Sequence, residues 1–346
     1  MDSEANSGKP IGPIGPEGRI MQENDRPTLK TIAFMAGLGV TTVSRALKDA
    51  PEIGIETRKR VQLIARQVGY RPNRAGVRLR TGKTNVIALV LNTQDEIMGF
   101  TSHVIHGVSE ALANTQYHLI VTPYSHSKDP LDPVRYIVET SSADGIIFSR
   151  TEPDDARVRY LTEHHVPFAT HGRTDMGITH PFHDFDNYSF ARHMVARLVE
   201  RKRQRLAILT PPAHLAYYGH MVNGFFDGVR TSGSTGTILP GIDIDTPLET
   251  LRLRVEAIMR RSDRPDGIVC GSSASTIATV AGIEAAGLRL GTDVDVASKQ
   301  STDILPWFRP ELIVVEERFQ LAGRKLAQAV LARIAGADPG TLQSIG

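Results

Sequence analysis

The residues best suited to chemistry lie close together near the amino terminus. In LKTIAFMAGLGVTTVSRALK (29–48), Ile32, Ala36, Leu38, Val43 and Ala46 recur at helical spacing, Ala33 offers a small residue where two helices could cross, and Gly37 offers a turn between them. What then faces outward on the second helix is Val40, Thr41, Ser44 and Arg45, short or cationic groups able to reach base edges and phosphates in a major groove. A guanidinium such as that of Arg45 can fork onto a guanine edge. A plain helical hairpin with a solvated polar face remains the simpler alternative.

Charge weighs against that alternative. The formal net charge of +2 hides a strong polarity: residues 26–83 carry 13 Lys and Arg against 3 Asp and Glu, a balance of +10, while residues 1–25 sum to −3 and residues 84–346 to −5. A basic block beside an acidic remainder favours a polyanionic partner, nucleic acid first.

Other chemistries find little support. The single cysteine, Cys270, excludes an intrachain disulfide or a multi-cysteine metal site and fits a reducing compartment. All 12 histidines follow residue 83; His103 and His106 stand at i and i+3, and His164, His165, His171, His180 and His183 cluster without a metal-ligand spacing, so no metal is expected. There is no nucleophile elbow, Walker loop or dinucleotide glycine fingerprint, and Ser272-Ser273 has no assigned base, so neither catalysis nor a cofactor is expected. No apolar run approaches the ~18 to 20 residues of a membrane span and no secretory pattern opens the chain, which places it in the cytoplasm without membrane contact.

The elements that must position these residues divide by composition. Residues 1–25, rich in Gly and Pro, are expected to be a disordered tail, with Met21 a second candidate start. Residues 26–71 read as short helices: one capped by Thr28 and running to about Gly37, one from about Gly39 to Lys48, one from about Ile55 to Gly69. After Gly82 come short buried runs rich in β-branched residues, each followed by a helical pattern: 86–92, 117–123, 144–149, 166–170, 205–211, 266–272, 294–298 and 311–317. That alternation predicts an α/β fold with parallel sheets covered by helices. Asp144-Gly145-Ile146-Ile147 is echoed by Asp266-Gly267-Ile268-Val269, which suggests two similar lobes with a ligand cleft between them. GSTG (233–236) reads as a turn.

With Thr28, TVSRAL (42–47), TRKRV (57–61) and VGYRPN (68–73), the amino-terminal stretch resembles the DNA-binding headpiece of the lactose-repressor (LacI/GalR) family of bacterial transcription regulators. The rest resembles that family's two-lobed effector domain, itself similar to periplasmic binding proteins. The resemblance implies a helix-turn-helix headpiece (26–71), a hinge helix and linker (72–83) and an effector-binding domain (84–346), with lobe one at about 84–184 plus 317–340 and lobe two at about 185–316. It implies that Val40, Thr41 and Arg45 read bases, Val40 through a thymine methyl, and that Thr28, Ser44, Tyr70 and Asn73 fix register on the backbone. In the hinge, Leu79 becomes an apolar wedge in the minor groove, and Arg74 and Arg78 meet phosphates. Three departures stand out: Gly54 replaces a hydroxyl residue, Glu52 adds a negative charge toward the backbone, and Gly76 costs the hinge helix roughly 1 kcal/mol relative to alanine.

For the effector, the resemblance implies Phe100 after the first strand, Arg173 within His171-Gly172-Arg173-Thr174, and Asp186 in the Asp186-Asn187 pair. The Gly-Arg step is similar to that of members answering α-glucosides. Elsewhere the pocket departs from the family: Met221 replaces an arginine, with Tyr217 and His220 as substitutes, Ser272-Ser273 replaces Asn-Asp, and Ser298-Lys299-Gln300-Ser301 replaces Gly-Tyr-Asp-Asp. Tyr217, His220, Ser272, Lys299 and Gln300 therefore join the expected effector set. The chain stops at GADPGTLQSIG, short of the family's usual final strand, as a truncated chain would.

These readings lead to a regulator, expected to be a repressor, that binds double-stranded DNA at a near-palindromic operator as a homodimer, with a tetramer left open. A small effector, expected to be a carbohydrate, controls it. A regulator sensing a purine, and a ligand-binding or sugar-modifying protein with a vestigial headpiece, remain the alternatives.

Overall fold

The computed structural model describes residues 27–70, 82–92, 99–125 and 128–346. They fall into two compact units, one ending at Thr84 and the other running from Asn85 to Gly346. The expected tail, and the expected hinge residues Asn73, Arg74, Gly76, Arg78 and Leu79, lie outside the described residues.

The first unit is built from three helices, Leu29–Ala36, Val40–Ala46 and Ile55–Gln67. Thr28 and Thr31 form a reciprocal cap: the Thr31 backbone N–H donates to Thr28 Oγ1 at 3.3 Å and the Thr28 N–H donates to Thr31 Oγ1 at 3.1 Å, satisfying two donors that a helix start otherwise leaves unmade. Gly37, at φ 62°, ends the first helix in the left-handed region where glycine carries no Cβ penalty. Ile32, Ala33, Ala36, Val43, Ala46, Val61 and Ala65 then meet as one small core. The small side chains at 33, 36 and 46 let three short helices approach closely.

The second unit holds two sheets whose strand pairings are all parallel. The first takes β1 (Val86–Asn92), β2 (His118–Tyr124), β3 (Gly145–Phe148), β4 (Phe168–His171), β5 (Phe182–Asp184) and β11 (Gln343–Ile345), in the order β11-β5-β4-β3-β1-β2. The other takes β6 (Arg205–Leu209), β7 (Thr235–Ile238), β8 (Gly267–Cys270), β9 (Asp295–Gln300) and β10 (Ile313–Glu316), in the order β10-β9-β8-β6-β7. Each lobe has its own cores, on both faces of its sheet, and none of these clusters draws on both lobes. The chain crosses between lobes at 185–187 and at 317–318; after the second crossing, the helix Phe319–Ile334 packs back on the first lobe.

The repeated Asp-Gly pair has the same physical role in each lobe. Asp144 Oδ2 accepts from the N–H of Asn85, just before β1, at 2.9 Å, and Asp266 Oδ1 accepts from the N–H groups of Gln204 and Arg205, at the start of β6, at 2.9 and 2.8 Å. A Cβ on Gly145 would lie 2.3 Å from Val330 Cγ1, and one on Gly267 2.7 Å from Leu206 Cδ2, so each glycine makes room for a core side chain.

Three strands were not among the expected runs: β5, β7 and β11 are three or four residues long and mix polar with apolar positions. The expected turn GSTG is partly strand, because Gly233 ends the helix Ala216–Ser232 and β7 begins at Thr235. The closing segment is also corrected: residues 343–345 pair with Phe182–Asp184, so the first sheet reaches beyond the expected 317–340 return.

Candidate functional site

On the headpiece, Val40, Thr41 and Arg45 are exposed along one side of the second helix, while Val43 and Ala46 turn into the core. Ser44 is half-buried and Tyr70 packs half-buried against the three-helix core. Arg45 Nε stands 3.8 Å from Glu52 Oε1 with both side chains at least half exposed, a loose pairing that a phosphate or base edge can displace. The hydroxyl of Thr28 is already engaged in the cap. Gly54 opens the third helix with no side-chain hydrogen bond to its first turn.

In the second unit, loops at the carboxyl ends of strands from both lobes border a cavity of about 310 Å³. This is where ligands bind in parallel α/β folds. The first lobe contributes Phe100, Ser149 and Arg150 after β3, His171 at the end of β4 and Gly172 just after it, Asp184 at the end of β5, and Phe319. The second contributes Tyr217, residues 244–248, residues 271–274 and residues 299–301. Asn187 and Glu317 arrive from the two crossings.

The polar wall is organised around Lys299. Its Nζ lies 2.7 Å from Glu317 Oε2 and donates to Asn187 Oδ1 at 2.9 Å, so one ammonium fastens both crossings. It also stands 5.1 Å from the ring of Phe185 and 5.2 Å from that of Tyr217, within cation–π range. Across the cavity Arg150 and Asp245 form a two-pronged ion pair between the lobes, with Nη1 donating to Oδ1 at 3.2 Å. Arg173 Nε lies 3.1 Å from Asp184 Oδ2, an ion pair off the direction a hydrogen bond needs.

Burial sets the ionisation of the remaining groups. It pushes the His171 imidazole down to about 4 against the pull of Glu317 3.7 Å away, which leaves a neutral ring at pH 7. It pushes the Asp184 carboxyl up to about 6, with Arg173 only partly offsetting it. Phe100 packs edge-on against Phe319 with ring centroids 4.7 Å apart, and the His171 ring lies 5.6 Å from that of Phe319, giving the first lobe an aromatic wall. Cys270 is buried in the second lobe's core and its thiol is pushed up to about 11 by desolvation, so it stays a thiol and takes no part.

Of the residues singled out from sequence, Phe100, Tyr217, Ser272, Lys299 and Gln300 border the cavity. Ser272 does so while capping the helix Ser273–Ala285 through the Ser275 N–H at 3.3 Å. Arg173, Asp186 and His220 do not border it. Arg173 stands behind Asp184, Asp186 caps the helix Asn187–Glu200 by accepting from Ser189 N–H at 2.9 Å, and His220 is half-buried with its Nδ1 enclosed and without a hydrogen bond. Met221 is fully buried in the second lobe. The expected effector set left out Asn187 and His171, though their motifs had been noted, along with Glu317, Asp184, Phe319 and the Arg150–Asp245 pair. The available signal was position for most of them, since His171 and Asp184 end strands, Arg150 follows one closely, and Asn187, Glu317 and Phe319 lie at or beside a crossing; Asp245, in the loop after β7, gave none. Among the described residues, no group of three His, Cys, Asp or Glu side chains is arranged to hold a metal, and no helix is long and apolar enough to cross a membrane.

Comparison with known proteins follows the same division. Residues 28–73 match the family model for bacterial regulatory proteins of the lacI family, and residues 195–344 match that for a periplasmic binding protein-like domain. The HTH-type transcriptional regulator AglR of Rhizobium meliloti (strain 1021) is 29% identical over 318 residues, covering 88% of this chain and 87% of that protein. The HTH-type transcriptional regulator RafR of Escherichia coli is 28% identical over 325 residues, covering 91% and 94%. Among solved structures, the lac repressor dimer bound to operator and the anti-inducer ONPF superposes with a TM-score of 0.78 at 17% identity, over 93% of this chain and 96% of that one. A complex of the transcriptional regulator CelR with cellobiose gives 0.67 at 22%, over 92% and 97%.

Proposed function

Because the chain belongs to the LacI family of bacterial regulatory proteins and is a DNA-binding transcriptional regulator, we propose that it represses transcription at a near-palindromic operator as a homodimer and answers a carbohydrate bound between its lobes. The observation that carries the reading is a single chain combining a helix that exposes Val40, Thr41 and Arg45 with a cavity walled by aromatic rings and buried hydrogen-bonding groups. A sugar needs that mixture, an apolar face for its C–H groups and fixed polar partners for its hydroxyls. The CelR structure was solved with cellobiose, which supports the carbohydrate assignment. Val40, Thr41 and Arg45 then read base edges, while Thr28, Ser44, Tyr70 and Asn73 hold the register.

Fluorescence anisotropy with selected duplexes tests the first half. Affinity falls steeply as salt rises, since each neutralised phosphate releases counterions. Thermal melting against monosaccharides, disaccharides, sugar alcohols and purines tests the second, because a ligand selective for the native state raises the melting temperature. Duplex binding that ignores both sequence and salt refutes the operator reading. Stabilisation by purines alone replaces the carbohydrate with a nucleobase.

A further inference from the structure

Taking the cavity as the effector site proposed above, we propose that the effector carries no net charge and donates a hydrogen bond to Gln300 Oε1. Among the described residues, the ionised side chains that border the cavity are already matched with counter-ions. Lys299 is held by Glu317 and Asn187, Arg150 is held by Asp245, and Asp184 has Arg173 behind it. His171 is neutral, with one nitrogen to donate and one to accept.

Among the described residues, an anionic ligand therefore meets three carboxylates and no cation that is not already engaged. To recruit Lys299 it must strand Glu317, which is buried, and to recruit Arg150 it must break the pair that spans the lobes. A cationic ligand faces the mirror problem, since each carboxylate would have to be taken from its partner. Self-neutralised walls of this kind discriminate by the cost of uncompensated charge in a place water reaches poorly.

A neutral polyhydroxylated ligand meets no such cost, and among the described residues three buried acceptor atoms bordering the cavity lack a hydrogen bond: Asp184 Oδ2 and Glu317 Oε2, each facing the cation of its ion pair, and Gln300 Oε1, which belongs to no ion pair. Gln300 is only 8% exposed, borders the cavity at the end of β9, and its Oε1 has no hydrogen-bond partner among the described residues. A buried amide oxygen without a donor is unfavourable. A ligand hydroxyl satisfies it, and an ether or a thioether at the same position does not. The Phe100 and Phe319 rings offer the opposite, apolar side.

The test uses the full chain and matched pairs of probes in isothermal titration calorimetry: cellobiose, maltose and glucose against glucose 6-phosphate, glucuronate and glucosamine, with hypoxanthine against its nucleotide. The neutral member of a pair is expected to bind about tenfold or more tightly than its charged counterpart. Equal or tighter binding of a phosphate, carboxylate or amine overturns the proposal. If hypoxanthine binds, its nucleotide does not, and every sugar fails, the carbohydrate reading falls while the inference about charge stands. Failure of every probe counts against both. Gln300→Leu, checked for folding by circular dichroism, is expected to weaken the best neutral probe about tenfold, by stranding its hydroxyl. Unchanged affinity removes Gln300 from the role.

Discussion

Replacing Lys299 by methionine keeps most of the side-chain volume and removes the ammonium that binds Glu317 at 2.7 Å and Asn187 at 2.9 Å. The Lys299 side chain is 10% exposed and that of Glu317 is 7%, so water cannot take over the missing contact cheaply. Stranding one partner of a buried ion pair costs about 3–5 kcal/mol. For a unit of this size that corresponds to a fall of roughly 6–20 °C in melting temperature. Adding Glu317→Leu removes the stranded charge, and replacing a whole buried pair with apolar groups is close to neutral. The double variant is therefore expected to recover most of the loss. Urea denaturation followed by circular dichroism at neutral pH measures both. A single variant that loses less than about 1 kcal/mol, or a double variant worse than the single, refutes the picture of one buried ammonium compensating one buried carboxylate.

Other outcomes follow from the same reasoning. Asp184, raised from its ordinary range to about 6, stabilises the fold most when protonated, and that contribution is lost as pH climbs from about 4 through 6. Asp184→Asn should thus gain about 2 kcal/mol relative to the parent between pH 4 and pH 7 in urea titrations; a pH-independent difference contradicts it. His171, lowered to about 4, acts oppositely, its contribution being full above 6.5 and lost toward 4, and it cancels from that comparison because both proteins share it. Arg45→Ala should flatten discrimination among operator variants by about 1–3 kcal/mol, read by competition anisotropy; an unchanged sequence preference would reject its base-reading role. Glu52→Gln frees Arg45 from a loosely held partner and removes a negative charge beside the proposed DNA-reading helix, so operator affinity should rise about 1.5- to 5-fold at low salt. A fall would show that Glu52 positions Arg45 and does not compete for it.

The headpiece was legible because its signals are local. Thr28 and Gly37 mark helix ends by their own hydrogen bonding and φ preference, and the small apolar residues from Ile32 to Ala46 share one helical register. The long buried strands were legible for a similar reason, since VIALVLN is buried at every position. Gln343–Ile345 was not, because at three residues it forms only through pairing with Phe182–Asp184, far off in sequence. The cavity shows the same divide. Lys299 and Gln300 could be named from one stretch, but Glu317 and Asn187 acquire meaning only when the two crossings bring them to that ammonium. Arg173 and Asp186 do not border the cavity while their neighbours His171 and Asn187 do, a distinction of one or two residues that spacing in the sequence does not make.

Since each lobe keeps its hydrophobic clusters to itself, swinging one against the other leaves the packed interiors undisturbed. Such a swing would have to part polar links between the lobes, among them the Arg150–Asp245 pair and the 2.8 Å hydrogen bond from Ala216 N–H to the Thr151 carbonyl. Lys299 ties together the two crossings that carry the chain from one lobe to the other, so a charged contact sits where any such swing has to turn.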